Sequence, residues 1–379
     1  MAITIQELTN SKKDLLRFIR FSDSLFKDVK YYVPPLHKSE LKTMLIDQNP
    51  AYEFCEARFW LLYKDNVLKG RIAGIINHRY NDKTGVKYLR FGWLDFSNDI
   101  TVLEALLNTV ENWGKEIEAE KLHGPLGFSS FDASGILVEG FEELPTSFAR
   151  YNPPYYSEML EQLGYKKEVD WVEHRISVPD EIPEKYTRIS DVIKDRYGLI
   201  SVPLRKAKDL MQYGDQIFDL LNVEYADLYS FSQLTQRQIN DIKIQFSTIL
   251  NLEYVSVVTN KDNEVVGFGF CIPSLSKALQ KSKGKLYPFG ILRIMKALRS
   301  NDTVDSLLIA VAKEYQEKGV SAIIFNDVGN GFVRNGIKHV ESNRELEDNL
   351  SVNNLWNKLE SRQHKRARSY VKVLDPSIG

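Results

Sequence analysis

The sequence predicts an α/β (α+β) fold in which the two halves of the chain repeat one order of helices and strands. The chain has 379 residues, and because domains commonly have about 100–200 residues, this length suggests two domains. The segment Val178–Tyr186 contains two prolines and four charged residues, and it separates two stretches with regular apolar patterns. We therefore expect domains at residues 1–182 and 183–379, each a mixed, mostly antiparallel sheet flanked by helices.

The first half alternates apolar strands with amphipathic helices. The run Ser97–Asp99 can cap a helix, and apolar positions then recur with helical spacing from Leu103 to Ile117. A second helix ends at Gly164, a residue typical of helix C-caps. The predicted strands are Phe59–Lys64, Val67–Arg79, Tyr88–Phe96, Leu122–Leu126 and Tyr165–Val178, and the second helix is Tyr155–Leu163.

The second half repeats this order. In the predicted helix Asn349–Leu359, apolar residues that include Val352, Leu355 and Trp356 share one face. The predicted strands are Glu253–Thr259, Glu264–Ile272, Asp305–Val311, Lys338–Glu341 and Arg368–Leu374.

The segment Leu307–Phe325 predicts a strand, a turn with a glycine, and the start of a helix. A helix start presents several free backbone N–H groups, and these bind an anionic phosphate without needing a charged side chain. In the turn Gln316–Ser321, Gly319 has no Cβ and lets the backbone approach a ligand closely. The segment therefore predicts a phosphate site in the second half; an ordinary strand–helix connection is the alternative.

This turn resembles the pyrophosphate-binding turn of the GNAT acyltransferase superfamily, Q/R-x-x-G-x-G/A, with Ser321 in the last position. The order of elements in each half, and the ending YYSEMLEQLGYKK of the first half, also resemble that fold. The resemblance implies a tandem-GNAT bacterial protein that uses acetyl-CoA or a longer acyl-CoA as donor, without a metal. It also implies that the donor is bound by Leu308, Ile309, Ala310, Val311, Gln316, Lys318, Gly319, Val320 and Ser321.

The first half departs from this family where a phosphate would bind. The residues between Phe96 and Leu103 are SNDITV, without the Q/R-x-x-G turn. We therefore expect the first half to be a degenerate copy that shapes the substrate side of the site. One coenzyme A should then bind per chain.

Polar residues after the strand Lys338–Glu341 are the candidates for catalysis. In the family an amine attacks the thioester, and a carboxylate or an ordered water takes its proton. The strand that ends at Glu341 diverges from its neighbour in this fold, so Glu341 and Asn343 should face the acyl group. Glu341 is the candidate general base; a helix cap or a solvent-exposed position is the alternative. The family's acid is often a tyrosine on the last helix, but here that helix carries Trp356, and Tyr370 lies beyond it on the final strand.

The run Gly124–Glu143 is long for a connection and rich in glycine. Long loops in compact domains are often functional. The run predicts a substrate loop across the domain interface, with Asp132 and Glu139 as ligands of the amine; a structural hairpin is the alternative. The basic run Arg362–Arg368 would contact coenzyme A phosphates or form a solvated edge.

The segment Ser274–Arg299 is an insertion between two predicted strands. Within residues 287–299, Arg293, Lys296 and Arg299 fall on one side of a predicted helix, and apolar residues fall on the other. Such a segment is suited to an anionic membrane surface, to covering an acyl channel, or to packing on the protein's own core.

Composition excludes several classes of protein. A formal net charge of −1 lacks the basic surplus of a general nucleic-acid binder. Cys55 and Cys271 form no disulfide framework or metal pattern, which favours a reducing compartment. The N-terminus lacks a leader pattern, and no run approaches ~20 apolar residues. We therefore expect a cytoplasmic protein and leave peripheral contact at the inner membrane face open.

Together these observations predict an N-acyltransferase that moves an acyl group from coenzyme A to a small-molecule primary amine bound between the domains. One alternative keeps the chemistry and changes the substrates: a long-chain acyltransferase that acts on an amphiphilic amine at the membrane surface, with acyl-carrier protein as a further donor. The other alternative is a catalytically inactive GNAT pair that binds a ligand. A homodimer is also left open.

Overall fold

The computed structural model describes residues 2–247, 249–349, 356 and 359–375. The first half of this part of the chain begins with a strand and ends with the long strand β7. Its strands are β1 (Ile3–Glu7), β2 (Cys55–Lys64), β3 (Val67–Asn77), β4 (Tyr88–Phe96), β5 (Lys121–Gly124), β6 (Ile136–Glu139) and β7 (Lys166–Ser177). Its helices are α1 (Lys12–Leu25), α2 (His37–Met44), α3 (His78–Thr84), α4 (Ile100–Glu116) and α5 (Tyr155–Gln162).

In the second half of this part of the chain, four α-helices precede the first long strand of the sheet, and three more α-helices follow that strand. Its strands are β8 (Ile200–Ser201), β9 (Val255–Thr259), β10 (Val265–Pro273), β11 (Thr303–Val311), β12 (His339–Glu341), β13 (Glu345–Leu346) and β14 (Ser361–Val373). Its helices are α6 (Glu184–Tyr197), α7 (Ala207–Met211), α8 (Gly214–Glu224), α9 (Gln236–Ser247), α10 (Ser276–Ser282), α11 (Gly290–Arg299) and α12 (Val320–Arg334).

The strands form one sheet in the order β1-β2-β3-β4-β5-β14-β7-β12-β11-β10-β9-β8. Beside this path, β6 pairs with β14 and β13 pairs with β7. The last long strand of each half has crossed to the other half: β14 pairs with β5, and β7 pairs with β12. The crossed strands β7 and β14 also pair with each other, antiparallel, at the centre of the sheet. The two halves therefore share one continuous sheet.

Each half contains one parallel strand pair that soon diverges. In the first half β4 pairs with β5 from Tyr88 to Arg90. In the second half β11 pairs with β12 from Thr303 to Asp305. After Glu341 the chain leaves β11, and β13 pairs with β7 instead. A cleft therefore opens between β11 and the residues that follow β12.

Helices cover both faces of the second half. On one face, α8 packs Ile217 and Leu221 against β10 and β11 side chains such as Phe268 and Leu308. On the other face, α12 packs Val320 and its neighbours against β9 and β10. Because β11 ends at Val311 and α12 begins at Val320, the short connection between them lies at the open end of the cleft.

Several predicted strand boundaries differ from those of the structure, and two of the differences have a local reason. β3 ends at Asn77, because the Asn77 side chain accepts the backbone N–H of Tyr80 at 2.9 Å and caps α3. The strand expected from Glu253 begins at Val255, because residues Leu252–Tyr254 form a 3-10 turn. β14 begins at Ser361 instead of Arg368. In the predicted helix Asn349–Leu359, residues 350–355, 357 and 358 lie outside the described part of the chain.

The basic run Arg362–Arg368 is neither a solvated edge nor a free cation patch, since it forms the first part of β14. Arg368 makes two hydrogen bonds of 2.8 and 3.0 Å to Asp170 on the neighbouring strand β7. Lys365 lies 2.8 Å from Glu173, and both side chains are 1% exposed. Carboxylates of β7 thus neutralise the basic charges of β14, which allows a charged strand at the sheet centre.

No α-helix in the ranges that the structure describes is both long enough and apolar enough to cross a membrane.

Candidate active site

A cavity of about 100 Å³ lies beside the paired residues of β11 and β12. Both halves of the chain contribute to its walls. The first half supplies residues 144–146 and Arg175, and the second half supplies Ser274, Ser276, Lys277, Asn301, Thr303, Asp305 and Glu341. Residues of both halves therefore enclose one cavity.

A chain of ionisable side chains runs from this cavity into the protein. The Glu341 carboxylate lies 2.8 Å from Nε2 of His364, and Nδ1 of His364 lies 3.5 Å from the Glu143 carboxylate. The His364 side chain is 1% exposed, whereas Glu143 is 24% exposed and pairs with Arg362 at 2.6 Å. We call Glu341, His364 and Glu143 the carboxylate–imidazole array. These three side chains link the cavity wall to the protein surface by close contacts, and within the described ranges Oε2 of Glu341 and both ring nitrogens of His364 have no hydrogen-bond partner.

Asp305 is a second buried carboxylate in the cavity wall. Within the described ranges, neither of its carboxylate oxygens has a hydrogen-bond partner. Burial raises the pKa of Asp305 to about 7, and the nearby charge of Glu341 acts in the same direction. The cavity therefore contains two neighbouring carboxyl groups, of which Asp305 changes its charge near neutral pH.

A third carboxylate beside the array is held permanently ionised. Burial alone would raise the pKa of Glu173, but Lys365 and Arg344 lower it to about 2. The distances are 2.8 Å to Lys365 and 3.0 Å to Arg344. Arg175 and Lys365 also lie 3.5 and 3.8 Å from the Glu341 carboxylate.

Asp305 should make the stability of the protein depend on pH. Its pKa is about 7 in the folded state and ~3.9 when unperturbed, so the folded state binds more protons between these values. The free energy of unfolding should therefore fall as pH rises from about 4 to 7. We expect the variant Asp305→Asn to exceed wild type at pH 8 by on the order of 1–4 kcal/mol and to match it near pH 4. Urea unfolding at both pH values measures this; an equal gain at both would contradict it.

The connection between β11 and α12 forms the predicted phosphate turn. Residues Lys313–Lys318 make a 3-10 helix, and Gly319 follows with φ +80°, a left-handed conformation that favours glycine. α12 then begins without a side-chain cap. Lys318 lies over the ring of Tyr315 at 4.2 Å and over that of Tyr197 at 5.6 Å. Uncapped helix amides next to a lysine suit an anionic group.

The opposite side of this turn is acidic. A groove of about 800 Å³ between α8 and the turn carries five carboxylates and one lysine. One carboxylate, Glu224, accepts the backbone N–H of Lys313 at 2.9 Å and an N–H of Gln316 at 2.8 Å. The five acidic residues are Asp219, Glu224, Asp262, Glu264 and Glu314. The turn therefore fits a phosphate on the side of Lys318 and α6, and it opposes one on the side of α8.

The free edge of β11 in the cleft already has partners. The carbonyl of Leu307 accepts the Asn343 side-chain N–H at 3.5 Å, and that of Ile309 accepts the Tyr225 hydroxyl at 3.0 Å. An acyl-donor molecule that formed hydrogen bonds with this edge of β11 would displace the side chains of Asn343 and Tyr225. Leu308 and Ala310 point into the core that faces α8, and each is 6% exposed.

The structure brings some predicted residues together and separates others. Glu341 lines the cavity, and Asn343 lies at the cleft beside Leu307 of β11. Tyr370 does not: it lies six residues beyond His364 on β14, about 20 Å along the strand, and its hydroxyl donates to Glu161 at 3.1 Å. Tyr370 belongs to the hydrophobic core of the first half. Its predicted catalytic role with Glu341 is therefore not supported by its position.

The glycine-rich loop reaches the cavity, but through other residues than expected. Asp132 turns back on its own loop, where it accepts the backbone N–H of Ser129 at 3.0 Å. Glu139 is 60% exposed and lies 3.2 Å from Arg366. The end of the loop contributes Glu143 to the array, and residues 144–146 to the cavity wall. The acidic residue that the loop contributes to the array is therefore Glu143, whereas Asp132 and Glu139 have partners elsewhere.

Sequence reasoning missed Asp305, His364 and Glu143. Asp305 is the first residue of the predicted strand Asp305–Val311, and the signal in the sequence is a carboxylate at the start of an apolar run. His364 was hidden in a basic run. Glu143 closes the glycine-rich loop, but nothing local shows that the loop ends beside β14.

The first half has a different cluster at the equivalent strand pair. His123 on β5 lies 3.2 Å from Glu168, and the Tyr229 hydroxyl lies 2.9 Å from the same ring nitrogen. Tyr88 stacks on the His123 ring at 4.3 Å between ring centroids. His123 is fully buried. Aromatic rings therefore surround His123 beside the β4–β5 pair.

Among residues 2–247, 249–349, 356 and 359–375, no three His, Cys, Asp or Glu side chains are placed to hold a metal ion.

Two proteins are similar to this chain in sequence at low identity. No family model matches the sequence. The chain is 26% identical over 375 residues to "Protein YghO" of Escherichia coli (strain K12), and the alignment covers 96% of this chain and 94% of that protein. It is 23% identical over 309 residues to "Bacterial ceramide synthase" of Caulobacter vibrioides, which covers 80% and 79%.

Two solved structures match nearly the whole chain. A tandem GNAT protein from the clavulanic acid biosynthesis pathway aligns with a TM-score of 0.57 and 10% identity, covering 99% of both chains. A GCN5-related N-acetyltransferase from Sphaerobacter thermophilus aligns with a TM-score of 0.53 and 11% identity, covering 99% of this chain and 96% of that one. These likenesses establish the fold and confirm the fold class predicted from the sequence.

Proposed function

We propose that this chain, which has the tandem GNAT fold, is an N-acyltransferase that moves an acyl group from an acyl-CoA thioester to a primary amine. The observation that carries this proposal is the carboxylate–imidazole array at the cavity beside β11 and β12. A structural ion pair needs no cavity. Here the buried carboxylate of Glu341 lines a space that both halves of the chain enclose, and the buried imidazole of His364 lies 2.8 Å from that carboxylate.

The array supplies what amine acylation needs. An amine that attacks a thioester forms a C–N bond, the C–S bond breaks, and the amine must give up a proton. Glu341 would accept that proton, and His364 would pass it toward Glu143 at the protein surface. The thiolate leaves without a tyrosine acid, so the placement of Tyr370 far from the cavity does not oppose this chemistry.

The donor is placed by the turn before α12. The backbone N–H groups of Gly319, Val320 and Ser321 and the side chain of Lys318 would hold its phosphates. Gln316 would act indirectly, because its side chain bonds Glu224 and the carbonyl of Val311 at 2.8 and 3.1 Å. Asn343 lies between this turn and Glu341, where the acyl group would be.

A second candidate keeps this chemistry and takes a long-chain amphiphilic amine as acceptor. The likeness to a protein called "Bacterial ceramide synthase" favours it. A ceramide is the amide of a fatty acid with a long-chain amino alcohol, so its synthesis is an N-acylation. The cavity also opens beside the insertion between β10 and β11, since Ser274 and Asn301 flank that insertion and line the cavity.

A two-by-two assay tests both candidates. Purified protein is mixed with acetyl-CoA or palmitoyl-CoA and with ethanolamine or a long-chain 2-amino alcohol. Free thiol is measured with a thiol reagent, and the amide by mass spectrometry. We expect thiol release that depends on the amine. A preference of at least tenfold for the long-chain pair would select the second candidate. Donor binding without thiol release in any pair would indicate the inactive ligand-binding alternative.

A further inference from the structure

The insertion between β10 and β11 is a two-helix hairpin with an unusually apolar surface. We call residues 274–301, which include α10 and α11, the helical hairpin. Its exposed large apolar side chains are Tyr287 (74%), Phe289 (63%), Ile291 (38%), Leu292 (61%) and Met295 (42%). In α11 only Gly290 is buried. The helix α11 therefore packs on the protein through partly buried residues such as Ile294 and Leu298, and its other apolar side chains are exposed.

The hairpin is also strongly basic. Residues 274–301 contain seven lysines and arginines and no aspartate or glutamate, although the chain as a whole has a net charge of −1. These residues are Lys277, Lys281, Lys283, Lys285, Arg293, Lys296 and Arg299. All seven are exposed, so the hairpin presents both apolar and basic side chains to its surroundings.

The hairpin is held firmly by the first half of the chain. The Gln280 side chain donates to the carbonyls of Lys30 and Tyr32 at 2.9 and 3.0 Å. The Ser276 hydroxyl donates to the carbonyl of Pro145 at 2.7 Å, and the backbone N–H of His37 donates to Gly284 at 3.0 Å. α10 is therefore anchored, and it presents α11 outward.

We propose that the helical hairpin docks the protein onto an anionic lipid bilayer. The aromatic and aliphatic side chains would enter the interfacial region, and the basic side chains would meet lipid phosphates. An anionic bilayer suits this hairpin because it provides an apolar interior for the apolar side chains and negative charge for the basic ones. A second copy of this chain is a poorer partner, because a two-fold contact through this surface would oppose seven cations with seven others.

Docking would bring the cavity to the membrane. Ser274, Ser276 and Lys277 at the start of the hairpin, and Asn301 at its end, line the cavity beside Asp305 and Glu341. The docking proposal does not rest on the proposed acyl transfer, because membrane binding can be measured without turnover. If both hold, an amphiphilic substrate could reach the cavity from the bilayer.

Co-sedimentation with vesicles tests this proposal. Wild-type protein is mixed with phosphatidylcholine vesicles or with vesicles that contain about 30% phosphatidylglycerol, an anionic lipid. Each mixture is prepared in low salt and in about 0.5 M salt, which screens the attraction between basic side chains and lipid phosphates. One variant changes Phe289, Leu292 and Met295 to serine, and another changes Lys285, Lys296 and Arg299 to glutamine. A matched control changes three equally exposed apolar residues elsewhere, Ile46, Met211 and Ile244, to serine.

We expect wild type and the matched control to bind anionic vesicles in low salt. The charge variant should bind roughly a hundredfold more weakly, since each basic residue near an anionic surface contributes a factor of about five. The apolar variant should lose binding to a similar degree, and 0.5 M salt should weaken wild type. No sedimentation of wild type, or equal binding of all four proteins, would overturn the proposal. So would a lipid-independent dimer, seen by ultracentrifugation, that the apolar variant abolishes.

Discussion

Replacing Glu341 by glutamine should lower kcat for amine acylation by about 10²–10⁴, because a positioned acid–base group typically contributes this much. Glutamine keeps the size of the side chain but cannot accept the proton of the amine. His364, 2.8 Å from the carboxylate, would lose its link to the cavity. KM for the acyl donor should change little, because the donor phosphates are expected at the turn before α12. Steady-state kinetics with the substrate pair that gives the highest rate measures both values.

The same substitution at Glu173 provides the contrast. Glu173 is buried between Lys365 and Arg344, so Glu173→Gln would leave two buried cations without their partner. Losing one member of a buried ion pair commonly costs about 3–5 kcal/mol of stability. We therefore expect Glu173→Gln to unfold at lower urea concentration, while Glu341→Gln changes kcat more than stability. An unchanged kcat in Glu341→Gln would contradict the role of the array in proton transfer.

The local patterns of the sequence were sufficient for most of the fold. The apolar run before residue 312, the glycine at 319 and the amphipathic stretch after it gave the strand, turn and helix that the structure contains. Such elements depend on neighbours within a few residues, which a sequence displays directly. Strand ends were less certain, because a side-chain cap such as that of Asn77 is decided by single contacts.

The exchange of β7 and β14 could not be predicted in this way. The two strands are nearly 200 residues apart, and their pairing depends on which partner compensates the buried charges. The array depends on this exchange, because His364 lies on β14, Glu341 ends β12, and Glu143 comes from the first half. A local reading therefore found one of the three residues. Their alignment becomes visible only when strands from both halves are placed side by side.

Changing Gly319 to aspartate should abolish the stabilisation of the protein by its acyl donor. At donor concentrations 100 times Kd, a ligand that binds only the folded state stabilises it by about 2.7 kcal/mol. Aspartate would place a negative charge at the start of α12, where the donor phosphates are expected. Gly319 has φ +80°, a conformation that aspartate and asparagine tolerate better than most residues. Its added Cβ would meet only the end of the flexible Ile193 side chain, 2.9 Å away.

Gly319→Asn is the matched control, because asparagine has the same shape and backbone strain as aspartate without the charge. We expect Gly319→Asn to retain most of the donor-induced rise in Tm and Gly319→Asp to lose it.

Glu224→Gln should act in the opposite direction: it keeps an acceptor for the Lys313 N–H and removes a negative charge beside the turn, so Kd for coenzyme A should fall severalfold. Isothermal titration measures these affinities, with one site per chain expected. Equal donor affinity in all four proteins would show that the phosphates bind elsewhere.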